Sequence, residues 1–314
     1  MNPLDDESAA VLLCGHGSRD IEAVSEFENL TSKISENLPD INVTHGFLEF
    51  ARPTISEQLE MLRESGVTKV FALPGMLFAA GHAKNDIPSV LNGYKTQHKE
   101  FQIEYGRELA IDLKLLEAAQ ERIIAAEATA TNSISRDQTM LVVVGRGTND
   151  PDANSNVSKV TRMLWEGMGF AWAETFYSGV TKPLITEELD RATLLGFKRI
   201  IIFPYFLFTG VLIKRIYEAA DTLAVNFPHI NVLKAGYFKD HPLVVNTFLE
   251  RLEEIDVGKN LMNCQLCKYR EQVIGYELDQ GAPQMGHHHH VEGIGTDDDH
   301  SHSHHTHHGH KKDV

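Results

Sequence analysis

The chain repeats itself, and this duplication constrains its fold more than any other feature of the sequence. The segment GHGSRD at residue 15 matches GRGTND at residue 145, an offset of 130 residues. At the same offset, PTISEQL at 53 matches PLITEEL at 183, and VFALPGMLF at 70 matches IIIFPYFLF at 200. Gly106 and Gly236 also pair at this offset, so we expect the two copies to align without a gap. A constant offset through several strands, turns and helices predicts a tandem duplication of one domain.

Each copy alternates short apolar runs with longer amphipathic segments, which is the pattern of an α/β fold. Strands are predicted near residues 10–14, 41–48, 68–73 and 100–105, and again near 139–144, 171–177, 198–203 and 230–236. Helices in the first copy are predicted near residues 20–37, 54–66, 83–97 and 109–127, with corresponding helices in the second copy. We therefore expect two Rossmann-like lobes that face a central cleft, each with a four-stranded parallel sheet flanked by helices.

The repeat also suggests how the chain is divided. Residues 1–128 are expected to form the first lobe and residues 139–257 the second, joined by a polar linker at 129–138. Residues 258–314 belong to neither copy. A chain of 314 residues has room for two ordinary domains.

The composition excludes several classes of function. Acidic residues outnumber basic ones by 44 to 29, giving a formal net charge of −15, which disfavours nucleic acid as a partner and suits the attraction of cations. The longest apolar runs are too short for a membrane helix, and the acidic start MNPLDDESAA is unlike a secretory signal. Three cysteines do not make a secreted disulfide framework. We expect a cytoplasmic protein without a nucleic-acid or membrane partner.

Two histidines are present in the first copy only. His16 is matched by Arg146, and His82 by Leu212. A histidine needed for folding should persist in both copies, because both have the same scaffold. Each histidine follows a predicted strand, so a parallel sheet would bring the two imidazoles to the same edge. Two neutral imidazoles suit a borderline divalent metal such as Co²⁺, Fe²⁺ or Ni²⁺ and leave most of its coordination positions open.

The motifs around these histidines resemble a known family. Together, LLCGHGSRD, FLEFARPTI, LPGMLFAAGHAKNDIP and GYFKDHPLVV resemble the long form of the CbiX/SirB sirohydrochlorin chelatases, in the class II tetrapyrrole chelatases. The resemblance covers about residues 9–256, and the paired histidine motifs are its most specific part. It implies ATP-independent insertion of Co²⁺ into sirohydrochlorin in cobalamin biosynthesis. Two alternatives stay open: insertion of Fe²⁺ for siroheme, and a metallochaperone that binds cobalt or nickel without catalysis.

The resemblance also implies roles for individual residues. His16 would accept a pyrrole proton and bind the metal, and His82 would be the second metal ligand. A histidine of ordinary pKa, near 6.5, can accept a proton at physiological pH. The substrate-contacting positions of the family correspond to Arg52 and to a loop of mostly apolar residues that suits a flat macrocycle: Leu77, Phe78, Ala79, Ala80, Gly81 and His82.

Arg19, Lys84 and Glu49 can each be interpreted as site residues or as residues without a role in the chemistry. Sirohydrochlorin is a polycarboxylate, so Arg19 and Lys84 are candidates for binding its rim, although ordinary solvated charges would give the same pattern. Glu49, matched by Gly179, could neutralise the metal or accept a proton, and it could equally cap a helix.

The repeat pattern ends before the last part of the chain. Cys264 and Cys267 have C-x₂-C spacing, which can hold a metal or an iron–sulfur cluster or form a redox pair. The resemblance favours a cluster, which would need outside ligands or a dimer through this segment, whereas Cys14 is expected in the core. Of the 17 histidines, 11 lie at or after residue 287. This tract predicts loose binding of divalent cations and favours cobalt or nickel over iron.

Overall fold

The computed structural model describes residues 8–256 and residue 258, and shows two lobes of the same design. The first lobe contains β1 (Ala9–Gly15), α1 (Ile21–Glu36), β2 (Asn42–Phe47), α2 (Ile55–Glu64), β3 (Lys69–Pro74), α3 (Ile87–Gln97), β4 (Gln102–Tyr105) and α4 (Leu113–Ala128). The second contains β5 (Thr139–Gly145), α5 (Pro151–Met168), β6 (Trp172–Tyr177), α6 (Ile185–Ala192), β7 (Arg199–Pro204), α7 (Val211–Asn226), β8 (Asn231–Lys234) and α8 (Pro242–Asp256). A π-helical turn at His82–Asp86 precedes α3.

Both sheets are parallel and have the same topology. Their strand orders are β2-β1-β3-β4 and β6-β5-β7-β8. The central strands β1 and β5 are buried along their whole length, which explains their continuous apolar sequences. The predicted fold class is confirmed. No helix in the described part of the chain has the length and apolar character needed to span a bilayer.

Equivalent side chains start equivalent helices in the two lobes. Asp20 precedes α1 and accepts a hydrogen bond from the Glu22 backbone N–H, and Asp150 precedes α5 and accepts one from Asp152. These caps satisfy backbone groups that the first helical turn would leave unpaired. They also fix the loops between the central strands and their helices. His16 lies in the first of these loops and Arg146 in the second.

The last helix of each lobe packs against the other lobe. Helix α4 contacts α5, β7 and β8, and helix α8 contacts α1 and β3. The Arg251 side chain of α8 is buried, donates to the Leu109 carbonyl oxygen at 3.2 Å, and pairs with Asp112 at 2.5 Å. The two copies are therefore consecutive in sequence but interlocked in space. As folding units, residues 1–128 and 139–257 stay a prediction.

The copies differ in length by one residue, and the difference lies at the π-helical turn. Before it, equivalent hydrogen bonds are 130 residues apart: Lys84 N–H donates to Ala80, as Lys214 does to Gly210. Beyond it the offset is 129, because the caps of α3 and α7 are His98 and Phe227. A π-turn encloses one more residue than an α-turn, so it accommodates the extra residue.

This one-residue difference corrects the alignment expected from the sequence. The Gly106 N–H donates to the Ala72 carbonyl oxygen, and its counterpart is the Ala235 N–H, which donates to Ile202. The expected match of Gly106 with Gly236 is therefore wrong. The predicted strands and helices otherwise agree closely with the structure, except that α4 begins at Leu113 instead of 109. The delay arises because residues 109 and 110 donate their backbone N–H groups to the loop after β3.

Candidate functional site

A cavity of about 440 Å³ lies between the lobes, beyond the carboxyl ends of both central strands. Its first wall includes His16, which follows β1, and the loop that follows β3. Its second wall includes Arg146, which follows β5, and residues 205–213 after β7. Most of the lining is apolar, with side chains such as Phe27, Leu77 and Phe208. Open α/β sheets bind ligands at this edge.

The two histidines predicted as metal ligands meet in this cavity. The ring centroids of His16 and His82 are 4.4 Å apart, with the rings inclined at 70°. They come from different loops, one after β1 and one after β3, which are adjacent strands of the sheet. The structure therefore brings together side chains that are 66 residues apart in sequence.

The hydrogen bonds of His16 fix the chemistry of its ring. Its Nδ1 lies 2.8 Å from the Gly17 carbonyl oxygen, which can only accept, so Nδ1 carries the proton. In the neutral ring, Nε2 then has a lone pair, and it lies 3.2 Å from Glu49 Oε1. A lone pair that faces a carboxylate favours a proton or a cation between them. The pair is therefore suited to hold either one.

Burial sets the charge of Glu49. Its side chain is almost fully buried, and this burial, with the nearby negative charge of Asp86, raises its pKa to about 7. Arg19 and Arg146 act in the opposite direction and lower this pKa. The carboxyl group can therefore exchange a proton near neutral pH.

A glycine makes the approach of His16 to Glu49 sterically feasible. Gly17 has φ +89°, and a Cβ on it would lie 1.7 Å from the Glu49 backbone oxygen. Only a residue without a side chain fits there. Gly147 shows the same requirement in the second lobe, with a Cβ distance of 2.1 Å to the Gly179 oxygen. Gly17 and Gly147 are therefore required by the backbone in both lobes. The preceding residue is not fixed in this way, and it is His16 in one lobe and Arg146 in the other.

The π-helical turn gives His82 a carboxylate partner. The His82 Nδ1 lies 2.7 Å from Asp86 Oδ2, and both side chains are mostly buried. A carboxylate on one ring nitrogen orients a histidine and increases the basicity of the other nitrogen, which is the usual support for a metal ligand. Asp86 was not predicted from the sequence. It lies four residues after His82 within the π-helical turn, and π-turns are frequent at functional sites.

The ligand set for a metal is incomplete within the protein. Over residues 8–256 and 258, no group of three or more His, Cys, Asp or Glu side chains is arranged to hold a metal ion. Two imidazoles, each with a carboxylate beside it, leave coordination positions for an incoming ligand. Such a site is suited to a metal that is passed on.

The predicted substrate-contacting loop lies partly at the cavity surface. Leu77, Phe78 and Ala80 line the cavity with His82. Ala79 is buried, and Gly81 begins the π-helical turn; neither lines the cavity. The Phe78 ring stacks on Tyr205 of the second lobe, at a centroid distance of 5.6 Å and an angle of 9°. The loop therefore bridges the two lobes.

The three predicted basic contacts lie elsewhere. Arg19 covers the Phe50 ring, 5.0 Å from its centroid, and does not line the cavity. Arg52 pairs with Glu57 outside the cavity, and the equivalent Lys182 pairs with Glu187 in the same way. This pair is thus a shared feature of both copies and does not distinguish the lobe with the histidines.

Lys84 does not face the cavity. Its side chain is fully buried, and its Nζ lies 2.8 Å from Asp150 and 3.0 Å from Asp152, both in the second lobe. The expectation that Lys84 binds the rim of a substrate is therefore wrong, because its buried ammonium group is already held by the fully buried Asp150 and the mostly buried Asp152. It joins the π-helical turn to the opposite lobe instead.

The cysteine predictions can be followed only in part. Cys14 is buried in β1, where burial raises the pKa of its thiol, so its predicted place in the core is confirmed. Cys264, Cys267 and the histidine-rich tract lie outside the described residues. The iron–sulfur cluster and the dimer through this segment stay predictions.

Comparison with known proteins gives one family for both lobes. The CbiX family model matches residues 10–126 and again residues 140–255. Sirohydrochlorin cobaltochelatase from Priestia megaterium is 38% identical over 261 residues, covering 83% of this chain and 84% of that protein. Sirohydrochlorin ferrochelatase from Bacillus subtilis strain 168 is 30% identical over 252 residues, covering 78% and 91%.

A solved structure has the same architecture. SirB from Bacillus subtilis with Fe³⁺ superimposes with a TM-score of 0.69 at 27% identity, covering 81% of this chain and 99% of that one. The two matches to the CbiX model begin 130 residues apart and end 129 residues apart. They therefore show the same one-residue difference as the hydrogen bonds.

Proposed function

The chain belongs to the CbiX family, and on this premise we propose that it inserts a divalent metal, Co²⁺ in preference to Fe²⁺, into sirohydrochlorin. The observation that carries the proposal is the meeting of His16 and His82, with Glu49 beside them, at the wall of a largely apolar cavity. The greater identity to a cobaltochelatase than to a ferrochelatase supports cobalt as the metal for cobalamin. Insertion of Fe²⁺ for siroheme remains the second candidate, supported by the ferrochelatase relative.

Charge balance determines what the site must do. Each dication that enters the macrocycle replaces two pyrrole protons, so the site must release a cation and accept protons in return. In our proposal His16 holds the metal through Nε2 and takes a proton there once the metal has moved to the pyrrole nitrogens. Glu49, with its pKa raised to about 7, accepts the second proton. The exchange conserves charge, and we propose that it uses no ATP.

The remaining groups position the reactants. His82, oriented by Asp86, is the second metal ligand and keeps the cation at the first wall until the macrocycle arrives. Leu77, Phe78 and Ala80 present an apolar surface for the macrocycle, and Phe78 is held in place by Tyr205. The open coordination positions are those that the pyrrole nitrogens would occupy.

The test is a direct assay of insertion. Sirohydrochlorin is mixed with Co²⁺ or Fe²⁺ without oxygen, and the absorbance change of the macrocycle is followed with and without protein. We expect acceleration over the uncatalysed rate, greater for Co²⁺. Binding of cobalt without acceleration would reject the enzyme and leave the metallochaperone.

We propose one role for the residues outside the described part of the chain. The histidine-rich tract from residue 287 onward would hold divalent cations loosely and raise their concentration beside the cavity. Its removal should reduce turnover when metal is scarce and have little effect when metal is abundant.

A further inference from the structure

The cavity wall opposite the histidines is the second copy of the metal site, with each of its three groups replaced. Arg146 occupies the position of His16, Gly179 that of Glu49, and Leu212 that of His82. The backbone is unchanged, since the Gly179 N–H donates to the Arg146 carbonyl oxygen at 3.1 Å, just as Glu49 donates to His16. The two loops therefore have the same backbone geometry. In the second lobe this loop carries the Arg146 guanidinium, and in the first it carries the His16 imidazole.

Arg146 is available to an anion in the cavity. It is exposed, and among the lining residues of the described chain it is the one arginine or lysine. Among the described residues no carboxylate forms an ion pair with its guanidinium, and Gly179 stands at the position that corresponds to Glu49. The Glu49 charge acts on Arg146 from beyond ion-pair distance. Arg146 is also near enough to the first wall for its charge to act on Glu49.

The three basic residues that the sequence predicted as substrate contacts do not line the cavity. Arg19 lies over the Phe50 ring, Arg52 pairs with Glu57, and Lys84 is buried between two aspartates. A polycarboxylate that enters this largely apolar cavity therefore meets one lining cation, Arg146, which is not paired with a carboxylate. Arginine suits this task, because its planar guanidinium binds a carboxylate through two parallel hydrogen bonds and stays charged at every physiological pH.

We propose that Arg146 binds a carboxylate of the tetrapyrrole and so sets the position of the macrocycle over His16 and His82, an inference that rests on the function proposed above. The same charge repels a metal cation, so the second wall takes the substrate's anionic rim and leaves the metal to the first. The duplicated site has changed from cation binding to anion binding by three replacements on one backbone.

The test measures binding of the tetrapyrrole without metal. Sirohydrochlorin is titrated into the full-length protein in EDTA, and its absorbance or fluorescence reports binding by the wild type, Arg146→Gln and Arg146→Lys. We expect the glutamine variant to bind about 10- to 100-fold more weakly, the range for one charge-assisted hydrogen bond. The lysine variant should lie between, because it keeps the charge without the paired geometry. In turnover, the KM for sirohydrochlorin should rise and that for Co²⁺ should not.

Two controls isolate the carboxylate contact. Arg191→Gln removes an equal charge from an exposed arginine of the same lobe, paired with Glu188, and should leave binding unchanged. Sirohydrochlorin with its carboxylates esterified should bind to the wild type and to Arg146→Gln with equal affinity, since it has no anion for the guanidinium.

The outcomes separate this inference from the proposed function. Equal affinity of the wild type and Arg146→Gln for sirohydrochlorin overturns the inference, and the proposed function survives if the wild type still inserts metal. A rise in the KM for Co²⁺ alone overturns it as well. If the wild type binds sirohydrochlorin through Arg146 but inserts no metal, the proposed function fails and the inference stands. A wild type that does not bind sirohydrochlorin overturns both.

Discussion

Two ion clusters related by the duplication should differ greatly in their value to stability. Lys84 of the first lobe pairs with Asp150 and Asp152 of the second, and the equivalent Lys214 pairs with Asp20 and Glu22 of the first, at 2.8 Å and 3.2 Å. The chemistry is the same at both places, but the Lys84 side chain is fully buried whereas that of Lys214 is 51% exposed.

The burial of each lysine predicts how much free energy of unfolding is lost when that lysine is replaced. Replacing Lys84 with methionine leaves the fully buried Asp150 and the mostly buried Asp152 without the lysine charge, and breaking a buried pair in this way costs about 3–5 kcal/mol. The nearby Glu108, also buried, loses the effect of the Lys84 charge, which otherwise lowers its pKa. Lys214→Met should cost only about 0–1 kcal/mol, because solvent screens that pair and rehydrates the aspartate.

The assay is denaturation of the full-length protein by heat and by urea, followed by circular dichroism. For a chain of this size we expect Lys84→Met to lower Tm by on the order of 10 °C and Lys214→Met by no more than a few degrees. Because Lys84 lies in the π-helical turn with His82, cobalt affinity should also fall in the first variant. Equal shifts in Tm for the two variants would refute the argument that burial decides the value of these pairs.

The remaining predictions concern the first wall and the end of the chain. The raised pKa of Glu49 means that the folded protein holds this proton more tightly than the unfolded chain, so metal-free protein loses stability as pH rises from 4.5 to about 7. Glu49→Gln should therefore be about 3 kcal/mol more stable than the wild type at pH 8 and nearly equal at pH 4.5, by urea denaturation; a gain independent of pH would contradict this. His16→Ala and His82→Ala should each remove most insertion activity at limiting cobalt and leave the circular dichroism spectrum unchanged. The control His229→Ala, at an exposed position, should keep both the activity and the spectrum of the wild type. Near-normal turnover in His16→Ala or His82→Ala would count against the site. Deletion from Gly258 onward should leave a folded chelatase with the wild-type Tm, because α8 ends at Asp256, and insoluble protein would instead show that the removed segment is structural.

The fold was largely predictable because the sequence contains the same pattern of strands and helices twice. The strands are buried apolar runs and the helices have one apolar face, so periodicity locates both kinds of element. His16 and His82 could be identified because their counterparts, Arg146 and Leu212, occupy the same scaffold without them. Comparison of the two copies thus separates candidate site residues from residues that both copies need for the fold.

The features that sequence reasoning missed depend on packing between lobes. An apolar helix face does not specify which sheet covers it, so the exchange of α4 and α8 has no local signal. The partners of Lys84 are 66 and 68 residues away, and a lysine next to a site motif looks the same whether it is buried or solvated. Asp86 lies four residues after His82, a spacing that places two side chains on one helix face, but a single acidic residue at this spacing does not by itself mark a site.

The central claim is that the duplicated chain keeps one metal site in its cavity and uses the opposite wall for the macrocycle. Anomalous X-ray scattering from crystals of the chain truncated before Gly258 and soaked in Co²⁺ tests it most directly. We expect one cobalt peak in the cavity, bonded to His16 and His82, and none beside Arg146 and Leu212. A second peak of equal height at the wall with Arg146, or a cavity peak that touches neither histidine, would contradict the claim.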